Sequence, residues 1–323
     1  MFQAKVTREF LFAEDRPFAS CHASTLLALP GGDVLAAWFG GTREKAPDVA
    51  IWGARRSAGR WSHPRKLADH EGIAHWNPVL FANDRGSVFL VYKVGVDVTS
   101  WHSMVMRSDD GGESWSDPVP LVEGDIGGRG PVRNKPIRLR DGKLLAPASI
   151  ETADRWDAFV DISTDQGLTW RKSAFVPIDH GRFEGKGVIQ PTLWESEPGK
   201  VHMLLRSTAG RIYRSDSSDG GQTWCPAYAT SLPNNNSGID LVRLDSGVLA
   251  LVCNPVGENW GKRTPLTLFA STDNGLTWGD ELVLEDGPGE YSYPAIIAKG
   301  NRILISYTWK RERIAYWELE TAE

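Results

Sequence analysis

The chain has 323 residues, 41% hydrophobic and 24% charged, with a net charge of −5 and three cysteines. A mildly acidic balance argues against a general nucleic-acid-binding surface, and three scattered cysteines are too few for a disulfide framework. No run approaches membrane-spanning length. The N-terminus, Met1-Phe-Gln-Ala-Lys-Val-Thr-Arg-Glu9, lacks the apolar core of a signal peptide. The expected compartment is therefore the cytoplasm, or the periplasm or exterior if a leader has been removed.

Residues 3–12 form one short β-like segment, too small to be a structural unit. The first full unit follows in Ser24-Thr-Leu-Leu-Ala-Leu-Pro-Gly-Gly-Asp-Val-Leu-Ala-Ala-Trp38, an apolar run, a glycine turn and a second apolar run. The same shape returns at Pro136-Ile-Arg-Leu-Arg-Asp-Gly-Lys-Leu-Leu-Ala146 and Leu241-Val-Arg-Leu-Asp-Ser-Gly-Val-Leu-Ala-Leu251. No long stretch carries the 3.6-residue period of an amphipathic helix, so the protein should be nearly all β.

Each unit closes on one phrase: Ser108-Asp-Asp-Gly-Gly-Glu-Ser-Trp115, Ser163-Thr-Asp-Gln-Gly-Leu-Thr-Trp170, Ser217-Ser-Asp-Gly-Gly-Gln-Thr-Trp224 and Ser271-Thr-Asp-Asn-Gly-Leu-Thr-Trp278. The closing tryptophans are 55, 54 and 54 residues apart, and one further step back lands on Trp61 in an eroded copy. Asp and Ser/Thr side chains can bond their own turn amides, and the glycine supplies φ > 0. The phrase thus reads as a hairpin turn with an aromatic plug between units. A period near 54 divides the chain into about six units, so a six-bladed β-propeller is expected, a single domain over 1–323. The strand at about 3–12 should close the last blade, 289–323.

In such a ring the innermost strands converge on the axis, and their starts and the ends of the strands that follow share one mouth. Those positions hold His22, His75-Trp76-Asn77, Arg133-Asn134-Lys135, Gln190, Asn236 with Asp240, and Tyr291-Ser292-Tyr293; then Arg43, Asp48, Lys93, Glu151, Arg206, Arg263 and Arg311. Several cations gathered on an acidic protein suit an anionic ligand, here an acidic oligosaccharide or polysaccharide. Trp76, Trp101, Trp260 and Trp309 lie outside the repeated phrase and are candidate platforms for a sugar ring. No Cys/His cluster has metal spacing, so no cofactor is expected, although loop oxygens would suit a structural calcium. The oligomeric state has no signature in the sequence.

The repeated phrase resembles the Asp-box, or BNR, repeat of sialidase-like propellers. That resemblance implies a glycoside hydrolase whose arginines grip the sugar carboxylate, with a tyrosine nucleophile, a glutamate partner and an aspartate acid/base. By it, Tyr291 in Glu290-Tyr-Ser-Tyr-Pro294 takes the nucleophile's place, Asp48 the acid/base, and Arg206 and Arg263 two of the arginines, with Arg43 on the loop of Asp48. His22 stands where a third arginine is usual, and Gln190 where the glutamate is usual. A neutral Gln190 cannot accept a proton from a tyrosine. Three readings therefore stand: an exo-acting hydrolase removing a terminal acidic sugar, a polysaccharide lyase cleaving beside a uronate such as a rhamnose–glucuronate linkage, with His22, His75 or Tyr291 moving protons, and a non-catalytic glycan-binding propeller.

Overall fold

A computed structural model describes residues 2–125 and 127–321, with side chains at 7–125 and 127–320. The described chain is a six-bladed β-propeller. Blade 1 comprises Ser20–Ala28, Val34–Gly41 and Ala50–Ser57, edged by Arg60–Trp61 and Arg65–Ala68. Blade 2 runs through His75–Ala82, Val88–Val94, His102–Ser108 and Val119–Pro120. Blade 3 is built from Ile137–Arg138, Leu144–Glu151, Trp156–Ser163 and Arg171–Lys172. Blade 4 holds Val188–Glu197, Lys200–Ser207, Arg211–Ser217 and Tyr228–Pro233, and blade 5 Asp240–Arg243, Leu249–Cys253, Leu266–Ser271 and Gly279–Glu285. Blade 6 has Tyr291–Lys299, Arg302–Trp309 and Arg313–Thr321, and the N-terminal strand Phe2–Phe10 pairs antiparallel with the last of these as its outer edge. Pairing first and last segments in one sheet ties the ring shut and removes two free edges.

The repeated phrase forms the turn leading out of the third strand of blades 2 to 5. In the copy at 217–224, Ser217 Oγ donates to Asp219 Oδ1 at 2.8 Å and accepts from the Gly221 amide at 2.9 Å. Asp219 then accepts from the amides of Gln222 and Thr223 and from the Thr223 hydroxyl. Gly221 has φ +82°, and a Cβ there would sit 2.6 Å from Leu145 of blade 3. Only glycine satisfies both the left-handed turn and the contact with the preceding blade. Trp224 packs with Leu139 and Leu145 of blade 3, Trp170 meets Phe81 of blade 2, and the eroded copy's Trp61 meets Tyr316 of blade 6. The phrase is scaffold, remote from the axis.

The axis is filled by hydrogen bonds between blades. Asp240 accepts from Lys135 Nζ at 2.9 Å, from Thr192 Oγ1 at 2.8 Å and from the Ile296 amide at 3.0 Å, so one carboxylate gathers segments of blades 3, 4, 5 and 6. Asn134 donates to the carbonyls of Gln190 and Pro191, and Asn77 to that of Val132. Buried polar groups here are held by partners on other blades, which fixes the relative rotation of the sheets.

Candidate active site

One backbone device recurs at the mouth. Ala23, Asn77, Gln190, Asn236 and Tyr293 all have φ between 42° and 58°, one in each of blades 1, 2, 4, 5 and 6. In blades 1, 2, 4 and 6 the pairing register shifts by one residue there, between His22 and Thr25, Trp76 and Val79, Ile189 and Thr192, and Ser292 and Ala295. These are β-bulges, which interrupt the alternation and re-aim a side chain. Left-handed backbone at non-glycine residues is strained by about 1 kcal/mol or more each, and such strain concentrates at functional sites.

The bulge in blade 6 decides which tyrosine reaches the axis. In a regular strand Tyr291 and Tyr293 would share a face. Instead Tyr291 is buried against Trp309 in the blade core and its hydroxyl donates to the Pro288 carbonyl at 3.3 Å. Burial and the Glu285 carboxylate push the Tyr291 phenol's pKa up. Tyr293 takes the central position expected for Tyr291. Its hydroxyl lies 2.7 Å from Arg206 Nη1, its ring centroid is 4.1 Å from that of His22, and the guanidiniums of Arg133, Arg206 and Arg263 stand 5.2, 5.7 and 5.4 Å from the ring.

Arg206 is the next-to-last residue of the second strand of blade 4. Its Nε donates to Asn236 Oδ1 at 2.7 Å and its Nη1 to Gln190 Oε1 at 3.0 Å, so two of these positive-φ residues orient it. Arg133 spans the channel from blade 3, donating to the carbonyls of Tyr293 and Pro294, while its Nε is enclosed without a partner. Both arginines are at most 3% exposed, and among the described residues no carboxylate lies within ion-pair distance of either. Burial pulls the Arg133 pKa down to about 10. Arg263 and Arg311 differ, for both donate to Glu290 Oε1, at 2.8 and 2.7 Å, and Arg311 also reaches Glu44. Burial works to raise the Glu290 pKa, but Arg263 and Arg311 outweigh it and hold the carboxyl low.

His22 is buried, with Nδ1 2.8 Å from Thr308 Oγ1. Burial, reinforced by Arg311, Arg263, Arg133 and Arg206, drives its pKa well down, so the ring is neutral at pH 7. Aromatic surface flanks Arg206: Trp156 and Trp260 lie 5.8 and 5.7 Å from its guanidinium carbon and meet edge to face. Trp260 is 62% exposed and sits at φ 60° in the loop before Arg263.

Several expected residues lie elsewhere. His75 is 1% exposed, with Nδ1 against the carbonyls of Val49 and Ile73 and Nε2 accepting from the His70 amide, so both ring nitrogens are committed to backbone. Trp76 is enclosed among Phe39 and Trp101 with its Nε1 on the Gly95 carbonyl. Of the four candidate platforms, Trp260 alone reaches the arginines, since Trp101 is core and Trp309 packs on Phe10. Asp48 is exposed and accepts from the amide and hydroxyl of Thr42, which hold its pKa below the usual range and tie it into its own loop. Arg43 is exposed on that loop, and Lys135 is engaged by Asp240. Open grooves of about 370 and 330 Å³ lie between blades 1 and 2, lined by neither Arg133 nor Arg206, and mark gaps between sheets.

A profile of the BNR repeat-like domain matches residues 32–305. The chain belongs to that family. This BNR propeller is 26% identical over 326 residues to a sialidase of Micromonospora viridifaciens, covering 87% of this chain and 48% of that protein, so it spans about half the length of the curated relative it matches. Among solved structures it resembles a Dyadobacter fermentans protein of unknown function (TM-score 0.79, 19% identity, 99% of this chain and 100% of that one). It also resembles a Hadza microbial sialidase (0.78, 18%, 94% and 66%) and Trypanosoma rangeli sialidase (0.75, 15%, 98% and 60%). At these identities the likeness is one of fold, and the fold is that of sialidase propellers. Within the BNR frame, Trp156, Glu44 and Glu290 were given no role from sequence, and Tyr293 was placed at the mouth while the nucleophile's place went to Tyr291. The bulge that separates the two tyrosines has no signature in composition.

Proposed function

We propose that this BNR propeller is a glycoside hydrolase that removes a terminal carboxylate-bearing sugar from a glycan. The observation that carries the reading is the pair Arg133 and Arg206, buried without a neutralising carboxylate around one tyrosine. Burying an unpaired cation is unfavourable by several kcal/mol, and an anionic ligand offsets that. The sugar carboxylate would bind the guanidinium of Arg206, with Arg263 beside it. Tyr293 is the nucleophile, and Arg206, donating to its oxygen, stabilises the negative charge there as the phenolic proton passes to solvent. Gln190 acts through Arg206, fixing its orientation, and takes no proton. Asn236 supports the other edge of the same guanidinium, and Trp156 with Trp260 provides surface for the next sugar.

Elimination beside a uronate is the second reading, favoured by the neutral His22 packed against Tyr293. There the arginines would neutralise the carboxylate, and His22 or Tyr293 would take the proton from the adjacent carbon. Mass spectrometry after incubation with sialylated, Kdo-containing and rhamnose–glucuronate glycans tests both. Products that have gained water support the hydrolase, unsaturated uronate absorbing in the ultraviolet supports the lyase, and binding without turnover refutes both in favour of a glycan-binding propeller.

A further inference from the structure

We propose that Glu151 is the proton donor of this site, an inference that rests on the hydrolase reading. Glu151 ends the second strand of blade 3, two residues beyond Ser149, whose hydroxyl accepts from the Gln190 amide at 3.2 Å. Side chains two apart on a strand share a face. Glu151 is therefore on the face that meets the Gln190 bulge, one step nearer the mouth. Its cross-strand partner is Trp156, the aromatic residue beside Arg206, and the Lys186 ammonium lies 5.9 Å from the Trp156 ring.

Three other carboxyls near the mouth are committed. Glu290 accepts from Arg263, Arg311 and Ser292; Glu44 pairs with Arg311; Asp48 is bound by Thr42. Glu151 is 8% exposed and, among the described residues, its side chain has neither a hydrogen-bond donor nor an ion-pair partner. Burial pushes its pKa up, with Arg206 and Lys186, the charged groups facing it from blade 4 and from the preceding loop, opposing that shift. A carboxyl that holds its proton more tightly in an enclosed setting is the arrangement a general acid needs.

The glycosidic C–O bond breaks with its electron pair leaving on oxygen, Glu151 gives that oxygen its proton, and the anomeric carbon bonds to the Tyr293 oxygen, whose phenolic proton has passed to solvent. The Glu151 carboxylate then takes a proton from water as the water oxygen bonds to the anomeric carbon, and Tyr293 departs as phenolate and recovers a proton from solvent. The net reaction consumes one water.

The test compares two kinds of substrate for the wild type, Glu151→Gln and Glu151→Asp. One is the 4-methylumbelliferyl glycoside of sialic acid, Kdo or glucuronate, whichever the wild type cleaves, and the other is a glycan bearing the same sugar on an alkyl oxygen. General-acid catalysis contributes about 10²- to 10⁴-fold. Glu151→Gln should lose about that much on the glycan, stay within about tenfold on the aryl glycoside, whose leaving group needs no acid, and lose the alkaline limb of its pH–rate profile. Glu151→Asp should recover part of the glycan activity and retain the limb. Equal losses on both substrates, or an unchanged alkaline limb in Glu151→Gln, overturn the role of Glu151 while leaving the hydrolase intact. Should Glu151→Gln fail to fold, a ¹³C carboxyl titration of the wild type decides: Glu151 must titrate with the alkaline limb, and any other value overturns the assignment. A wild type that cleaves neither substrate overturns the hydrolase and this inference together.

Discussion

Replacing Arg206 by Met should leave the fold almost as stable as before while abolishing ligand binding. The substitution strands two buried acceptors, Gln190 Oε1 and Asn236 Oδ1, each worth about 1–3 kcal/mol. Against this, it relieves the burial of a cation with no carboxylate within ion-pair distance, a penalty of several kcal/mol. The two effects nearly cancel, leaving roughly 2 kcal/mol in either direction. Arg129 provides the contrast: it pairs with Asp161, whose carboxylate is fully enclosed, at 2.6 Å. Arg129→Met strands that charge and should destabilise by about 3–5 kcal/mol. For a chain of this length the unfolding entropy implies about 1.5 °C in Tm per kcal/mol. Calorimetry at pH 7 should therefore show Arg206→Met within about 3 °C of wild type and Arg129→Met lower by at least about 4 °C. A bound acidic sugar at 100 times its Kd should raise the wild-type Tm by about 4 °C and leave Arg206→Met unmoved. If Arg206→Met melts as low as Arg129→Met, Arg206 is a structural cation and the argument for an anionic ligand falls.

Tyr293→Phe should reduce turnover at least about a thousandfold and Tyr291→Phe less than threefold, and the reverse ranking in steady-state kinetics would restore the nucleophile to Tyr291. Trp260→Ala should leave the melting temperature unchanged, because the ring is exposed, while raising KM for an oligosaccharide more than for an aryl glycoside; equal effects on both would remove Trp260 from the aglycone side. Burial holds Lys93 down to about 7, so between pH 7 and about 10 the unfolded chain binds a proton that the folded chain does not. Stability contributed by this site therefore rises with pH over that window, by at most about 1.4 kcal/mol per unit. Denaturant titrations should show that rise in wild type relative to Lys93→Met, and parallel curves would mean Lys93 stays charged. Trp224→Ala should lower stability by about 3–5 kcal/mol through the cavity between blades 3 and 4, and a loss under 1 kcal/mol would refute the plug.

The architecture was legible because it rests on local chemistry repeated at a fixed interval. A Ser, an Asp, a Gly and a Trp build their turn from their own neighbours, so the sequence by itself determined an all-β ring of six blades and assigned each repeat tryptophan to a seam. It also located the mouth, and with it His22, Arg133, Gln190, Arg206, Asn236 and Arg263, because strand starts and ends follow from the alternation of apolar runs with turns. Which side chain at each of those positions faces the axis was decided only by the tertiary structure. A single extra residue in the blade 6 bulge turns Tyr293 inward and leaves Tyr291 in the core, against the period of two that a sequence reading must assume. His75 and Trp76 sit at a strand start like His22, yet backbone carbonyls and neighbouring rings on blades 1 and 2 enclose them. The state of the charges was likewise nonlocal: Arg263 and Arg206 look alike in sequence, but one meets Glu290 and the other meets only amides and a phenol. Pairing across blades depends on the closed ring, and no local pattern encodes it.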